Sequence, residues 1–176
     1  MAIDRIDWHW EEVTDAKDEN EHWNRAGAHI GYYVEWAFKK GFANPDVYGD
    51  DPLEGVNGLQ LLLDSDAKLG ESDFNEEGQK FSTYAYSLYM DNYESIVGHG
   101  LYDTMYNNED LNKISDYLDN LYVKFKENPI AVENKFKELN NNKKHPSKVA
   151  KNLKKYLLLF IIFWIIALII SIVTYK

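Results

Sequence analysis

The chain of 176 residues contains no cysteine, which excludes disulfides, thiolate metal sites and a cysteine nucleophile together. The absence is compatible with a reducing compartment. The amino end has no hydrophobic run: Met1–Trp10 carries Asp4 and Asp7 and does not read as a secretory signal. No internal repeat is visible, and Gly98-His99-Gly100 lacks the length, the Lys and the Ser/Thr of a phosphate loop. Acid is missing from the carboxyl end. All 29 acidic residues lie in positions 1–140 with 12 of the 19 basic ones, whereas 141–176 hold seven lysines and no acid. An acidic body is repelled by anionic lipid and by nucleic acid, while a basic stalk is drawn to the lipid surface. No nucleic-acid partner is expected.

What the carboxyl end has instead is one long apolar run, Leu157 to Val173, in which Ser171 is the only polar residue. From Tyr156 to Tyr175, at about 1.5 Å per residue, a helix would span roughly 30 Å, the hydrocarbon thickness of a bilayer. Helices of soluble cores are rarely apolar on every face, and the two tyrosines sit where interfacial rings belong. A transmembrane helix over 156–175 is therefore expected, with the bilayer as one partner. Lys143, Lys144, Lys148, Lys151, Lys154 and Lys155 precede the run and only Lys176 follows it. The positive-inside rule then keeps the body in the cytoplasm, as a single-pass, tail-anchored protein. Three parts follow: an acidic globular domain at 1–139, a basic hinge and juxtamembrane segment at 140–155, and the span at 156–175. Ala167 and Ser171 form a small-x-x-x-small pair through which two spans could pack, so a homodimer is among the expected assemblies.

Within the body, periodicity predicts a mainly α fold, a small helical domain with a short β element at the amino end. Residues 3–13 alternate imperfectly, as a short strand or extended segment would. Ala26, Ile30, Tyr33, Val34, Ala37 and Phe38 mark a core helix over 24–40, with Gly41 as its stop. Four of the five tryptophans fall in the first forty residues and are expected to supply much of the core's aromatic area. Asp51-Pro52 reads as the start of a second helix over 53–63, and a third is expected over 75–89. After an irregular stretch at 96–101, Leu111, Ile114, Leu118, Leu121, Tyr122 and Phe125 define an amphipathic helix beginning near Asn107, and a shorter helix covers 130–139.

Candidate chemistry is sparse. His22 and His29 would lie about 10.5 Å apart along one helix, too far to share an ion. Glu19-x-x-His22 occurs once, whereas carboxylate-bridged di-metal bundles need two copies. His9, His22, His29 and His99 are therefore expected to be ordinary surface or hydrogen-bonded histidines, with no metal and no cofactor. His29 has no nucleophile placed beside it, so no enzymatic activity is expected. The distinctive exposed features are two acidic loops, 46–54 and 64–77. Either they are a solvated face, or Asp50, Asp51, Asp64, Asp66, Asp73, Glu76 and Glu77 meet a basic partner surface, where complementary charge speeds encounter.

Asp7-Trp8-His9, then Ala28-His29-Ile30-Gly31-Tyr32, Trp36 and Gly41, together with Glu77-Gly78-x-x-Phe81 and the tyrosines between Tyr84 and Tyr93, resemble a bacterial domain family of unknown function over about residues 5–125. The resemblance brings no catalytic residues. It implies kinship with the small acidic immunity proteins that bacteria make beside polymorphic toxins. The expected function is then a protein-binding module at the inner face of the bacterial plasma membrane, neutralising a toxin with a basic surface by direct binding. The alternative is a structural or adaptor subunit of a bacterial membrane complex.

Overall fold

The computed structural model describes residues 2–128. It is a small, mainly helical domain with one two-stranded sheet: β1 (Ala2–Arg5), a 3-10 segment (Ile6–Glu12), α1 (Glu19–Lys39), α2 (Pro45–Tyr48), α3 (Gly58–Asp64), β2 (Lys68–Gly70), a 3-10 turn (Glu71–Asp73), α4 (Glu76–Val97) and α5 (Asn108–Glu127). The expected helix at 130–139, the hinge at 140–155, the span at 156–175 and the Ala167/Ser171 pair lie outside the described residues. Among the described residues, no helix is long and apolar enough to cross a membrane.

Among the described residues, each of the five α-helices starts at an Asx side chain that accepts a backbone N–H from the first turn: Asp18, Asn44, Asn57, Asn75 and Asn107. Such caps satisfy donors that a helix cannot pair internally. α1 is the central element, buried continuously from Arg25 to Phe38. A helix buried all round must find partners for the polar groups it carries, and on α1 Arg25, Tyr32, Tyr33 and Trp36 do so on successive turns. Arg25 Nε donates to the Tyr102 carbonyl at 2.6 Å, the Tyr33 hydroxyl to Ser82 Oγ at 3.0 Å and Trp36 Nε1 to Asp119 at 2.8 Å, while the Tyr32 hydroxyl accepts from Asn107 N at 2.9 Å. Tyr32, Tyr33, Tyr89, Tyr93, Phe74 and Phe81 are the largest fully buried rings, packed edge-to-face and tilted.

The helix over 24–40 stands, with Gly41 at φ +79° where it stops. Four expectations change. The segment expected to be extended over 3–13 is a strand only as far as Arg5 and a 3-10 helix from Ile6 to Glu12. The second helix begins at Gly58, not Leu53, because Gly55 turns the chain at φ +73° and Asn57, not Asp51, supplies the cap. The third runs on to Val97, ended by left-handed Gly98. Of the early tryptophans only Trp36 is buried; Trp8 is 60% exposed, and tyrosines fill the core instead. β1 and β2 pair antiparallel, Asp4 opposite Leu69 and Arg5 opposite Lys68, with an irregularity between Ala2 and Asp4. The turn into β2 places Asp66 and Ala67 at positive φ.

Candidate functional site

The two acidic loops are held side by side by backbone. Asn44 N donates to the Asp73 carbonyl at 2.9 Å and Asn75 N to the Phe42 carbonyl at 2.9 Å, while Asn44 Nδ2 reaches the Ser72 carbonyl at 3.0 Å. Ala43 and Phe74 form an isolated antiparallel bridge between these strands of chain. From Gly41 to Ala67 there is no Lys or Arg.

The seven acids singled out by sequence divide by what they touch. Asp50 and Asp51 are exposed in the turn-rich stretch between α2 and α3. Asp64 closes α3 and accepts from Gln60 Nε2 at 2.8 Å, and Asp66 lies in the left-handed turn within electrostatic reach of Arg5. Asp73 caps its own 3-10 turn, accepting from Gly70 N at 2.6 Å. Glu76 pairs with Lys80 one turn on, a contact worth little at the surface. Glu77 braces α4 to α5 by accepting from the Tyr122 hydroxyl at 2.7 Å and Lys126 Nζ at 2.9 Å. Asp73 and Glu77 therefore have structural duties that Asp50 and Asp51 lack.

The more unusual constellation gathers His9 and His29 around Asp4, a residue the sequence does not single out. β1 delivers Asp4, the 3-10 segment His9, α1 His29 and α4 Tyr86 into one partly buried cluster, closed by Tyr102. His9 Nε2 lies 2.8 Å from Asp4 Oδ1, the Tyr86 hydroxyl donates to Asp4 Oδ2 at 2.6 Å, and His9 Nδ1 meets the Tyr102 hydroxyl at 2.7 Å. His29 Nε2 stands 3.3 Å from His9 Nε2 and 3.7 Å from Asp4 Oδ2. Its Nδ1 is buried without a hydrogen-bond partner. One donor atom from each of Asp4, His9 and His29 falls within 4.8 Å of the other two. Burial alone would raise the Asp4 carboxyl, but the neighbouring His29 and His9 rings and the Tyr86 hydroxyl outweigh it and hold the group well below the usual carboxylate range. Burial pushes His29 down, against the pull of Asp4, so the imidazole is neutral at pH 7. The Tyr102 backbone is fixed by Arg25, itself paired with Asp15 at 2.7 Å.

Spacing along one helix correctly separated His22 from His29, but the partner of His29 comes from before the helix. His22 stacks on Trp10 and bonds its carbonyl at 2.8 Å. Asp4 carried only a weak signal, since an acid two residues before Ile6 falls on the same side of an extended segment as that buried side chain.

His99 forms a separate staple. Its Nε2 lies 2.9 Å from Asp110 Oδ2 and 3.4 Å from Thr104 Oγ1, while Nδ1 faces the Gly100 carbonyl at 3.1 Å. Because hydroxyl and carboxylate share one nitrogen, the ring cannot relay a proton between them as a catalytic triad does. Two acceptors facing two ring nitrogens favour the imidazolium: desolvation lowers His99, but the Gly100 carbonyl and Asp110 outweigh it and raise the group above 6.5. Asp110 is held below 3.8, its burial offset by Asn107 and His99. The stabilisation from raised His99 is complete below pH 6.5 and is lost as pH climbs through its folded value; that from depressed Asp110 is complete above 3.8 and is lost as pH falls through its own. Thermal unfolding from pH 5 to 8 is therefore expected to show a declining contribution that His99→Gln abolishes.

No curated protein and no solved structure matches the chain. The family model described as Domain of unknown function (DUF7832) matches residues 2–127, and the chain belongs to that family.

Proposed function

We propose that this chain is a membrane-anchored protein-binding module, an immunity or inhibitor protein that neutralises a bacterial toxin by direct contact at the cytoplasmic face of the plasma membrane. The observation that supports a contact role is the backbone pairing of 42–44 with 73–75, which sets two acid-rich loops next to each other, the first of them within a stretch, 41–67, without a single Lys or Arg. Val47, 54% exposed, adds an apolar contact point next to Asp46. Exposed charge with an apolar element is what a basic partner surface engages: the charges steer encounter and the apolar contact slows release. The apolar 156–175 segment supports the anchoring, which would raise the local concentration of the domain near a membrane-acting target.

The test is co-purification of the full chain with the product of the adjacent reading frame. An inhibitor should still capture its target in solution when residues 150–176 are deleted. An adaptor subunit should lose its activity wholly with the same deletion, and that result would replace the inhibitor reading.

A further inference from the structure

Hydrogen bonding alone does not account for His29. At 2.8 Å, a proton must lie between His9 Nε2 and Asp4 Oδ1, and the Tyr102 hydroxyl can then donate to His9 Nδ1. The Tyr86 hydroxyl supplies the other carboxylate oxygen. His29 is left out. Its Nδ1 has no partner, and its Nε2 points at a carboxylate oxygen beyond hydrogen-bond range and at an imidazole nitrogen whose proton is committed elsewhere. A fully buried polar ring without a good bond on either nitrogen calls for a physical explanation, and an ion is one of the standard ones.

The distances supply it. The edges between the three residues are 2.8 Å from His9 Nε2 to Asp4 Oδ1, 3.3 Å from His9 Nε2 to His29 Nε2, and 3.7 Å from His29 Nε2 to the other carboxylate oxygen, Asp4 Oδ2, and one donor atom from each residue falls within 4.8 Å of the other two. Ligands 2.0–2.1 Å from a tetrahedral ion stand about 3.4 Å from one another. We propose that Asp4, His9 and His29 form a binding site for a divalent transition-metal ion, with zinc the preferred occupant. Two imidazoles with one carboxylate suit zinc and its neighbours over magnesium or calcium, which take oxygen donors. Zinc has no geometric preference of its own and so accommodates unequal edges.

The surroundings match what metal ligands require. With the ion on His9 Nε2, the ring proton moves to Nδ1 and the Tyr102 hydroxyl becomes its acceptor. Tyr86 continues to donate to Asp4, so two of the three ligands have an outer partner that orients them. His29 Nδ1 stays unpartnered in either state, but Nε2 gains the bond it lacks. The ion would join β1, the 3-10 segment and α1, and three protein donors leave a fourth position of a tetrahedral ion open.

The experiment uses the untagged full chain in detergent, stripped with chelator and dialysed against zinc, then assayed by elemental analysis and by the visible absorption of a cobalt(II) substitute. About one equivalent of zinc per chain is expected, with cobalt bands of a tetrahedral nitrogen/oxygen site. His9→Gln should abolish stoichiometric binding, Tyr102→Phe should weaken it about 10- to 100-fold, and His22→Gln and His99→Gln should leave it unchanged. The Gln amide can keep a hydrogen bond to the Asp4 carboxylate, and a cooperative unfolding transition of the stripped His9→Gln chain separates a lost ligand from a lost fold. A wild-type chain without stoichiometric zinc, or a His9→Gln chain that binds as well, would overturn the site.

Discussion

Gly58→Ala is expected to lower the unfolding midpoint by about 10 °C or more, a large loss for one added methyl group. A Cβ at residue 58 would overlap the Gly31 carbonyl and lie 2.6 Å from Glu35 N and 2.7 Å from Glu35 Cβ. These atoms belong to the backbone and first side-chain carbon of α1 and cannot swing away. Overpacking a rigid contact costs about 1–3 kcal/mol and sometimes more. At a few degrees per kcal/mol for a domain of this size, the upper end gives the stated shift. Gly58 N also donates to Glu35 Oε2 at 2.9 Å, so separating the helices would leave a buried carboxylate short of a donor. Gly31→Ala should be comparable, since its Cβ would meet Leu59 Cβ, Cα and N at 2.7, 2.8 and 2.9 Å. Gly27→Ala should cost much less, about 1 kcal/mol, because it meets the side-chain methyl groups of Ile6 and Leu59. Thermal scans of the three variants check the order; a tolerated Gly58→Ala would mean that α1 and α3 do not cross this closely.

Asp4→Ala carries the second large expected effect, about 3 kcal/mol of destabilisation. The carboxylate is nearly buried and accepts from Tyr86 and Arg5 N while facing both histidines. Its removal strands the Tyr86 hydroxyl and a ring nitrogen of His9, and each buried polar group left unpaired costs about 1–3 kcal/mol. Asp4→Asn keeps the volume and one acceptor and should recover part of the loss. Denaturant titration of the wild type and both variants, without added metal, gives the comparison. Equal stability of Asp4→Ala and wild type would show that β1 is not held to α4 and the 3-10 segment through this group.

Much of this architecture was legible because it is local. The stripe Ile30, Tyr33, Val34, Ala37 and Phe38 marks α1, and Leu111 through Phe125 marks α5, since a face buried at helical period writes itself into neighbouring residues. The start of α3 was misread because two signals competed. Asp51-Pro52 has the chemistry of a helix start, but the close approach to α1 demands Gly58 in the first turn, and only then does Asn57 cap it. β2 went unseen because three residues give no period to read, and its position depends on pairing with β1, more than sixty residues earlier. The Asp4, His9 and His29 cluster failed for the same reason. Each residue has an ordinary local reading, and only the antiparallel return of β2 and the fold of the 3-10 segment against α1 bring the three together.

A contact role predicts a particular charge dependence, and kinetics reads it most directly. The association rate of the full chain with the product of the adjacent reading frame should fall steeply with rising salt. Reversing Asp50 and Asp51 to Lys, in an exposed stretch with no structural duty, should slow association by about tenfold at low salt while leaving the unfolding midpoint unchanged. An association rate that ignores both salt and the double reversal would contradict an acidic docking face.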